Sequence, residues 1–519
     1  MDKEVPMSKA AQKRQSTNDP SRPEDERMPV GSAFAYGLQH VLTMYGGIIA
    51  VPIIIGGAAG LSSGEIAVLL ASCLFVGGFA TLLQTVGIPF FGSQLPLVQG
   101  VSFAAVSTML SILDQGSGLP SVFGAVLVAS IIGLVIAPFF AQIVRFFPPI
   151  VTGIIITTIG LTLVPVGAGW IVGNNPDAPD FADPSNVALA GITLAIIMLL
   201  SKVGNATISR LSILIALVLG TGVGALMGKV DFSGVLDGPF IAFPNPFHFG
   251  LPVFEPAAIL SMVIVVLVIM TETTADLIAV AEISGSKMTS KRIAAGLRAD
   301  MLSSAVSPIF NSFTQSAFAQ NVGLVAVTKI TSRWAVAAGG IVMVVLGLLP
   351  VLGRVVAAIP MPVLGGAGIV LFGTVTASGI RTLSKVNYKD NMNLIIVATA
   401  ITFGVVPVVN HDIYSNFPSW FQVIFDSGIS SAAIMAVLLN LMFNVFTKGN
   451  SENPSVFGAA PTRQIPVQVI ECLQEGDRCV DGKIVDADDN EVVLVDPEGT
   501  EVEMPGADAA NSSEPPAKP

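Results

Sequence analysis

The sequence predicts an all-α membrane protein of 14 transmembrane segments, and three observations carry that reading. The 519 residues are 52% hydrophobic and only 12% charged, with a mean hydropathy of +0.75. Soluble chains carry about twice that charge fraction. Apolar runs near the length of a bilayer crossing, about 20 residues at 1.5 Å rise each, recur from Gly31 to Thr447. The cations between those runs also alternate with the parity of the segments.

In order, residues 1–30 are rich in Lys, Arg, Asp, Glu and Ser and predict a disordered cytoplasmic tail. They contain no apolar core of a cleavable signal, so the first span would direct insertion. The transmembrane domain then runs over 31–447. Spans are predicted near 34–55, 65–86, 97–112, 121–140, 150–167, 187–201 and 211–228. A second set follows near 257–281, 293–310, 321–331, 334–352, 355–379, 391–409 and 428–446. With both termini inside, Arg145, Lys202, Arg210, Lys287, Lys291, Arg292, Lys329, Arg333, Arg381, Lys385 and Lys389 fall in inner loops, against Lys229 and Arg354 outside. The positive-inside rule requires that asymmetry, and one span added or dropped midway would destroy it. Residues 448–519 turn polar and predict a cytoplasmic tail. Alternating segments at 467–470, 483–485, 492–495 and 501–504, with an Asp496-Pro497-Glu498-Gly499 turn, predict a small β element there.

Two sets of seven imply 7+7 repeats, inverted because seven is odd. Gln99-Gly100-Val101-Ser102-Phe103 opens the short third span, and Gln320-Asn321-Val322-Gly323-Leu324 opens the short tenth. They lie 221 residues apart, against 223 between the starts of spans one and eight. Paired short, Gly-interrupted segments in matching halves are the sequence pointer to a transporter's midplane site.

The polar residues inside apolar runs mark candidate chemistry. Thr271-Glu272-Thr273-Thr274-Ala275-Asp276 lies within the run from Ala257 to Val280. A carboxylate there costs several kcal/mol unless it is paired, hydrated or protonated. Glu272 and Asp276, four apart, share one helix face; the competing reading is a polar helix end snorkelling to the interface. Gln39-His40, Ser102, Asp300, Gln320 and Asn321 complete the set, and each has a bland reading too. His40 could be a satisfied packing residue, Ser102 could bond back to its own helix, Asp300 could pair with Arg298, and Gln320-Asn321 could cap a half-helix. Their concentration in so apolar a chain argues for one shared cavity.

Other chemistries find little support. Cys73, Cys472 and Cys479 lack metal-ligand spacing, and His40, His248 and His411 are scattered, so no resident metal or other cofactor is predicted. Gly228-Lys229 lacks the glycine that a phosphate-binding loop needs five residues earlier. The Asp486–Pro497 stretch fails as a calcium loop, with Glu491 at the glycine position. A gradient-driven transporter fits better than an ATP-driven pump. An enzyme would need a nucleophile–base pair, and only His40 lies well inside a span; a channel would need a charged filter ring.

Gln320-Asn321-Val322-Gly323-Leu324-Val325-Ala326-Val327-Thr328-Lys329 resembles the signature of the nucleobase–ascorbate transporter family, also called nucleobase:cation symporter-2. Thr271–Val280 resembles the family's span-eight acidic motif, Gln39-His40-Val41-Leu42 its span-one motif, and Gln99–Phe103 its span-three motif. The resemblance covers residues 31–447. It implies a core domain of spans 1–4 and 8–11, a gate domain of spans 5–7 and 12–14, short strands in spans 3 and 10, and a homodimer. It also implies that Glu272 and Gln320 hold the nucleobase edge with Phe103 on or near the ring. Asp300 and Asn321 would support coupling and site geometry, and His40 would be an outlying hydrogen-bond partner. Ser102 stands where some xanthine-selective relatives carry Asn, and its small size favours the 8-oxo group of urate. An amide at 320 presents donor and acceptor together and suits the N–H/C=O edge of an oxidised purine.

The expectation is therefore a proton symporter for uric acid or xanthine in the plasma membrane, with Na⁺ the alternative coupling ion and no nucleic-acid partner. A dry cavity disfavours a bare charge, so protonation of Glu272, with Asp276 and Asp300 nearby, would let proton and purine cross together. The competing readings are a permease for uracil or another nucleobase, and an anion exchanger of the same architecture, against which the three acids argue.

Overall fold

The computed structural model of the chain describes residues 22–140, 147–388, 391–410, 412–445, 478–480, 483–485 and 491–492. Helix α1 spans Val30–Ala58 and α2 Ser63–Val86, the latter started by a reciprocal Ser62–Glu65 capping box. Strand β1 (Gln99–Val101) leads through a 3₁₀ turn at Phe103–Ala105 into the short α3 (Val106–Asp114). Then follow α4 (Gly118–Ile136), α5 (Pro149–Thr162), α6 (Val164–Ile171), α7 (Pro184–Val203), α8 (Ala206–Arg210) and α9 (Ser212–Leu226). In the second half α10 (Pro256–Ser284) ends at Gly285, whose φ of 67° is the left-handed stop that glycine takes freely. After it come α11 (Ser290–Val306), β2 (Gln315–Ala317) and α12 (Ala319–Thr328). The chain closes with α13 (Arg333–Gly347), α14 (Pro350–Ala357), α15 (Met361–Leu383), α16 (Asn391–Val409), α17 (Ser419–Phe425) and α18 (Gly428–Asn440).

Nine helices among the described residues are long and apolar enough to cross a membrane, and the bent α13–α14 pair makes a tenth. The protein is a multi-pass, mostly helical membrane protein. The 79° bend differs from the sequence expectation. Residues 355–357, expected in the twelfth span, belong to α14, and α15 starts only at Met361. Pro350 and Pro360 explain this, because neither can donate the amide that a continuing helix needs.

Helix α13 packs on α1 and α2, and α4 packs on α10 and α11. A second group forms around α15, which packs on α5, α6 and α7, while α16 and α18 pack on each other and on α5. Small residues permit the closest approaches. A Cβ on Gly37 of α1 would stand 2.5 Å from the Gly339 nitrogen of α13. Such contacts replace the hydrophobic drive that lipid removes.

At the centre β1 and β2 pair antiparallel, with Gln99 opposite Ala317, Gly100 opposite Ser316 and Val101 opposite Gln315. A twofold through the Gly100–Ser316 pair exchanges Gln99 with Gln315. Each of those glutamines donates its backbone N–H to a hydroxyl of a flanking helix, Gln99 to Thr81 of α2 at 3.0 Å and Gln315 to Ser304 of α11 at 2.8 Å. The counterpart of Gln99 is thus Gln315, five residues before the Gln320 that the sequence pairing chose.

Composition predicts a disordered tail up to Val30, and the structure differs from residue 22 onward. Glu24 is fully buried; it accepts from Arg292 at 2.5 Å and from the Ser286 hydroxyl. Asp25 pairs with Arg333 at 2.5 Å, and the Glu26 carbonyl accepts from Ser332 at 2.6 Å. Arg333 also donates to the last carbonyls of α2, Thr85 and Val86. Residues 22–26 are therefore a strap tying α2, α11 and α13. Burial alone would raise the Glu24 pKa, but bonds from Ser286, its own amide and Arg292 hold it below 4.5. A lowered carboxylate pKa stabilises the fold above the unfolded value and is lost as pH falls through the folded one. The strap should hold at neutral pH and release in acid below pH 4.5. Glu24→Gln leaves Arg292 without its charge partner, a loss on the order of 3 kcal/mol. Trypsin cleavage at Arg27 should quicken in that variant at pH 7.5; an unchanged rate would show the strap is not held by this pair.

Beyond residue 456 lies a second unit. Within it β3 (Arg478–Val480), β4 (Lys483–Val485) and β5 (Glu491–Val492) make an antiparallel meander. Of the segments expected there, 467–470 and 501–504 lie outside the described residues.

Candidate substrate site

A cavity of about 350 Å³ opens beside the strand pair. Its walls come from α5 (Ile156, Ile159), α10 (Glu272), the β1 and β2 segments (Val101, Phe103, Ser316–Phe318), α12 (Ala319, Gln320, Gly323) and α15 (Thr374, Ser378, Arg381). Two half-helices begin at this point. The first turn of α12 has no side-chain cap, so its leading amides, Ala319 and Gln320 among them, lack intrahelical acceptors and face an incoming polar ligand with the positive end of the helix.

Of the residues singled out in the sequence, Glu272, Gln320 and Phe103 line this cavity. Glu272 is half-buried and Gln320 exposed, and neither has a hydrogen-bond partner among the described residues. Asp276, one turn along α10, and Asp300 of α11 are buried behind the wall, and Asp276 lies within electrostatic reach of both Glu272 and Asp300. Asp300 is served by Gln84 of α2, whose Nε2 donates to it at 3.4 Å, and by the Thr273 hydroxyl. The Gln84 amide is oriented by its other end, where Oε1 accepts the Ser93 N–H at 3.1 Å. The alternative reading of Asp300, a pair with Arg298, is not what the described residues show; Arg298 donates to the Phe90 carbonyl.

Two residues expected at the substrate turn away. The Ser102 hydroxyl caps the 3₁₀ turn by accepting the Ala104 N–H at 3.2 Å. The Asn321 amide points at Met44 Sδ of α1, 3.6 Å away, rather than into the cavity. His40, expected as an outlying partner, lies one turn before Met44, buried and outside the lining.

The structure adds residues that the sequence reading passed over. Phe318 forms a second aromatic wall, its ring seated against Gly47 and Gly100, where added Cβ atoms would stand 2.9 and 2.7 Å from it. Ser316, Thr374 and Ser378 supply hydroxyls, and Arg381 supplies a cation. The cavity offers a flat ring the faces or edges of Phe103 and Phe318, with an acid and an amide in reach of its edge.

A helical bundle with half-helices meeting at a ring-sized polar cavity is the architecture of a membrane permease. A family model described as a permease family matches residues 31–413. The chain is 40% identical over 435 residues to the uric acid transporter UacT of Escherichia coli, covering 83% of this chain and 90% of that one. It is 39% identical over 418 residues to the xanthine permease of Bacillus subtilis, covering 80% and 95%. The murine Slc26a9 anion transporter in its inward-facing state shares the fold, with a TM-score of 0.56 at 13% identity over 85% of this chain and 73% of that one. The chain belongs to the nucleobase:cation symporter-2 family, in its xanthine and uric acid permease branch. It is a transporter and not an enzyme.

Proposed function

We propose that the protein carries uric acid or xanthine across the plasma membrane as a proton symporter, with both termini cytoplasmic and the active form a homodimer. The observation that carries this reading is the meeting of Glu272 and Gln320 on a cavity walled by Phe103 and Phe318. Its volume of about 350 Å³ is in the range of small-molecule sites, roughly 300–1,000 Å³. The Gln320 amide matches the alternating N–H and C=O edge of an oxidised purine. Glu272 would carry the proton. The names of the relatives at about 40% identity agree with the substrate class.

The 7+7 inverted arrangement and the division into core and gate belong to the same proposal. The twofold of the β1–β2 pair supports the first, and the two packing groups around α13 and α15 support the second. Access would alternate as one group shifts against the other.

Uptake of radiolabelled urate and xanthine by purine-transport-deficient cells tests the proposal. The expected result is saturable uptake of one or both, abolished by a protonophore and unaffected by replacing Na⁺. Sodium dependence would overturn the coupling ion, and failure of well-expressed protein to carry either purine would overturn the substrate class.

A further inference from the structure

Among the described arginines near helix ends in the transporter unit, Arg292, Arg333 and Arg354 hold carboxylates or carbonyls. Arg292 binds Glu24 and the Ser93, Gln94 and Lys287 carbonyls. Arg333 binds Asp25 and the end of α2, and Arg354 binds the Val235 and Pro239 carbonyls. Arg381 is different. It occupies the last turn of α15 and lines the same cavity as Glu272 and Gln320. It is exposed, and its guanidinium has no hydrogen bond or ion pair among the described residues. It is also the cavity's one cationic lining residue among them.

Two roles compete for such a side chain. A cation in the last turn of a helix complements the helix dipole, but that role is equally open to Lys385 just beyond and does not require the cavity. The acids of the same cavity supply the other. Glu272, with Asp276 and Asp300 behind it, makes that side of the site acidic, so a ligand with a negative charge of its own would be repelled unless a cation offset it. Uric acid is a monoanion at neutral pH, whereas xanthine in mildly acid solution is neutral. A planar guanidinium can meet the N–C=O edge of an anionic purine with two parallel bonds.

Resting on the substrate class proposed above, we infer that Arg381 is a specificity-determining residue that admits the anionic form of the purine. It sits at the mouth, takes the charge of the heterocycle on entry or release, and leaves the neutral form to Gln320 and the phenylalanines.

The test is transport by purified protein in proteoliposomes, comparing wild type, Arg381→Gln and Arg381→Lys with urate and xanthine as substrates at pH 6 and pH 7.5. Arg381→Gln should raise the KM for urate roughly 10- to 100-fold, the effect of one charge-assisted bond, with kcat little changed. The KM for xanthine at pH 6 should rise far less than that for urate, thermal stability in detergent reports the fold, and Arg381→Lys should recover most of the urate affinity. An unchanged urate KM in Arg381→Gln, or an equal rise for both purines, would overturn the inference and leave the substrate class standing. Wild-type protein that carries neither purine would overturn both.

Discussion

Glu272→Gln should abolish accumulation of purine against its gradient while leaving exchange in place. The amide keeps both characters that a protonated carboxyl offers a ligand, one acceptor and one donor, so counterflow of labelled substrate should persist within about tenfold of wild type. What it removes is the ability to take up and release a proton. One coupled proton across a difference of one pH unit is worth about 1.4 kcal/mol, or about tenfold accumulation. Wild type should reach that ratio and the variant should stay near unity. The measurement is the internal-to-external substrate ratio in proteoliposomes with an imposed pH step. A variant that still concentrates substrate would remove Glu272 from coupling and leave Asp276 or Asp300 to carry it.

The same three acids show how far the sequence could be read. Carboxyls inside an apolar run are costly enough to announce themselves, and Glu272, Asp276 and Asp300 do come together. Gln320 and Phe103 were legible through the motifs that surround them. Sequence does not say toward which neighbour a polar side chain turns, and so Ser102 and Asn321 look like site residues while their contacts lie with a 3₁₀ turn and with Met44. Phe318 is one of 29 phenylalanines and gains its place only because Gly47 and Gly100, distant in sequence, leave a slot for its ring. Arg381 reads as an ordinary inner-loop cation until α15 brings it to the cavity. The Glu24 strap is invisible for a different reason. Its composition is that of a tail, and only the separately positioned Arg292, Ser286, Ser332 and Arg333 give those charges partners.

That slot gives the second large effect, because Gly100→Ala should damage the site without unfolding the protein. Gly100 does not hold a left-handed backbone, so alanine is acceptable to the main chain there. The added methyl would stand 2.7 Å from Phe318 Cε2 and 3.3 Å from Ile48 Cγ1. Ile48 is fully buried in α1 and has nowhere to go, whereas the Phe318 ring borders the cavity and can yield into it. Overpacking of this kind costs about 1–3 kcal/mol. Taken from the space that a purine ring needs, that is a rise in KM of roughly 10- to 100-fold at 1.4 kcal/mol for each factor of ten. Expression and thermal stability in detergent should change far less. Replacing Phe318 with the shorter leucine in the same chain should relieve the clash, so the Gly100→Ala, Phe318→Leu double variant should bind better than Gly100→Ala alone, although Phe318→Leu by itself weakens the site. Transport kinetics of the four proteins form a double-mutant cycle. Additive losses would mean that Gly100 and Phe318 act separately and that the slot does not set the shape of the cavity.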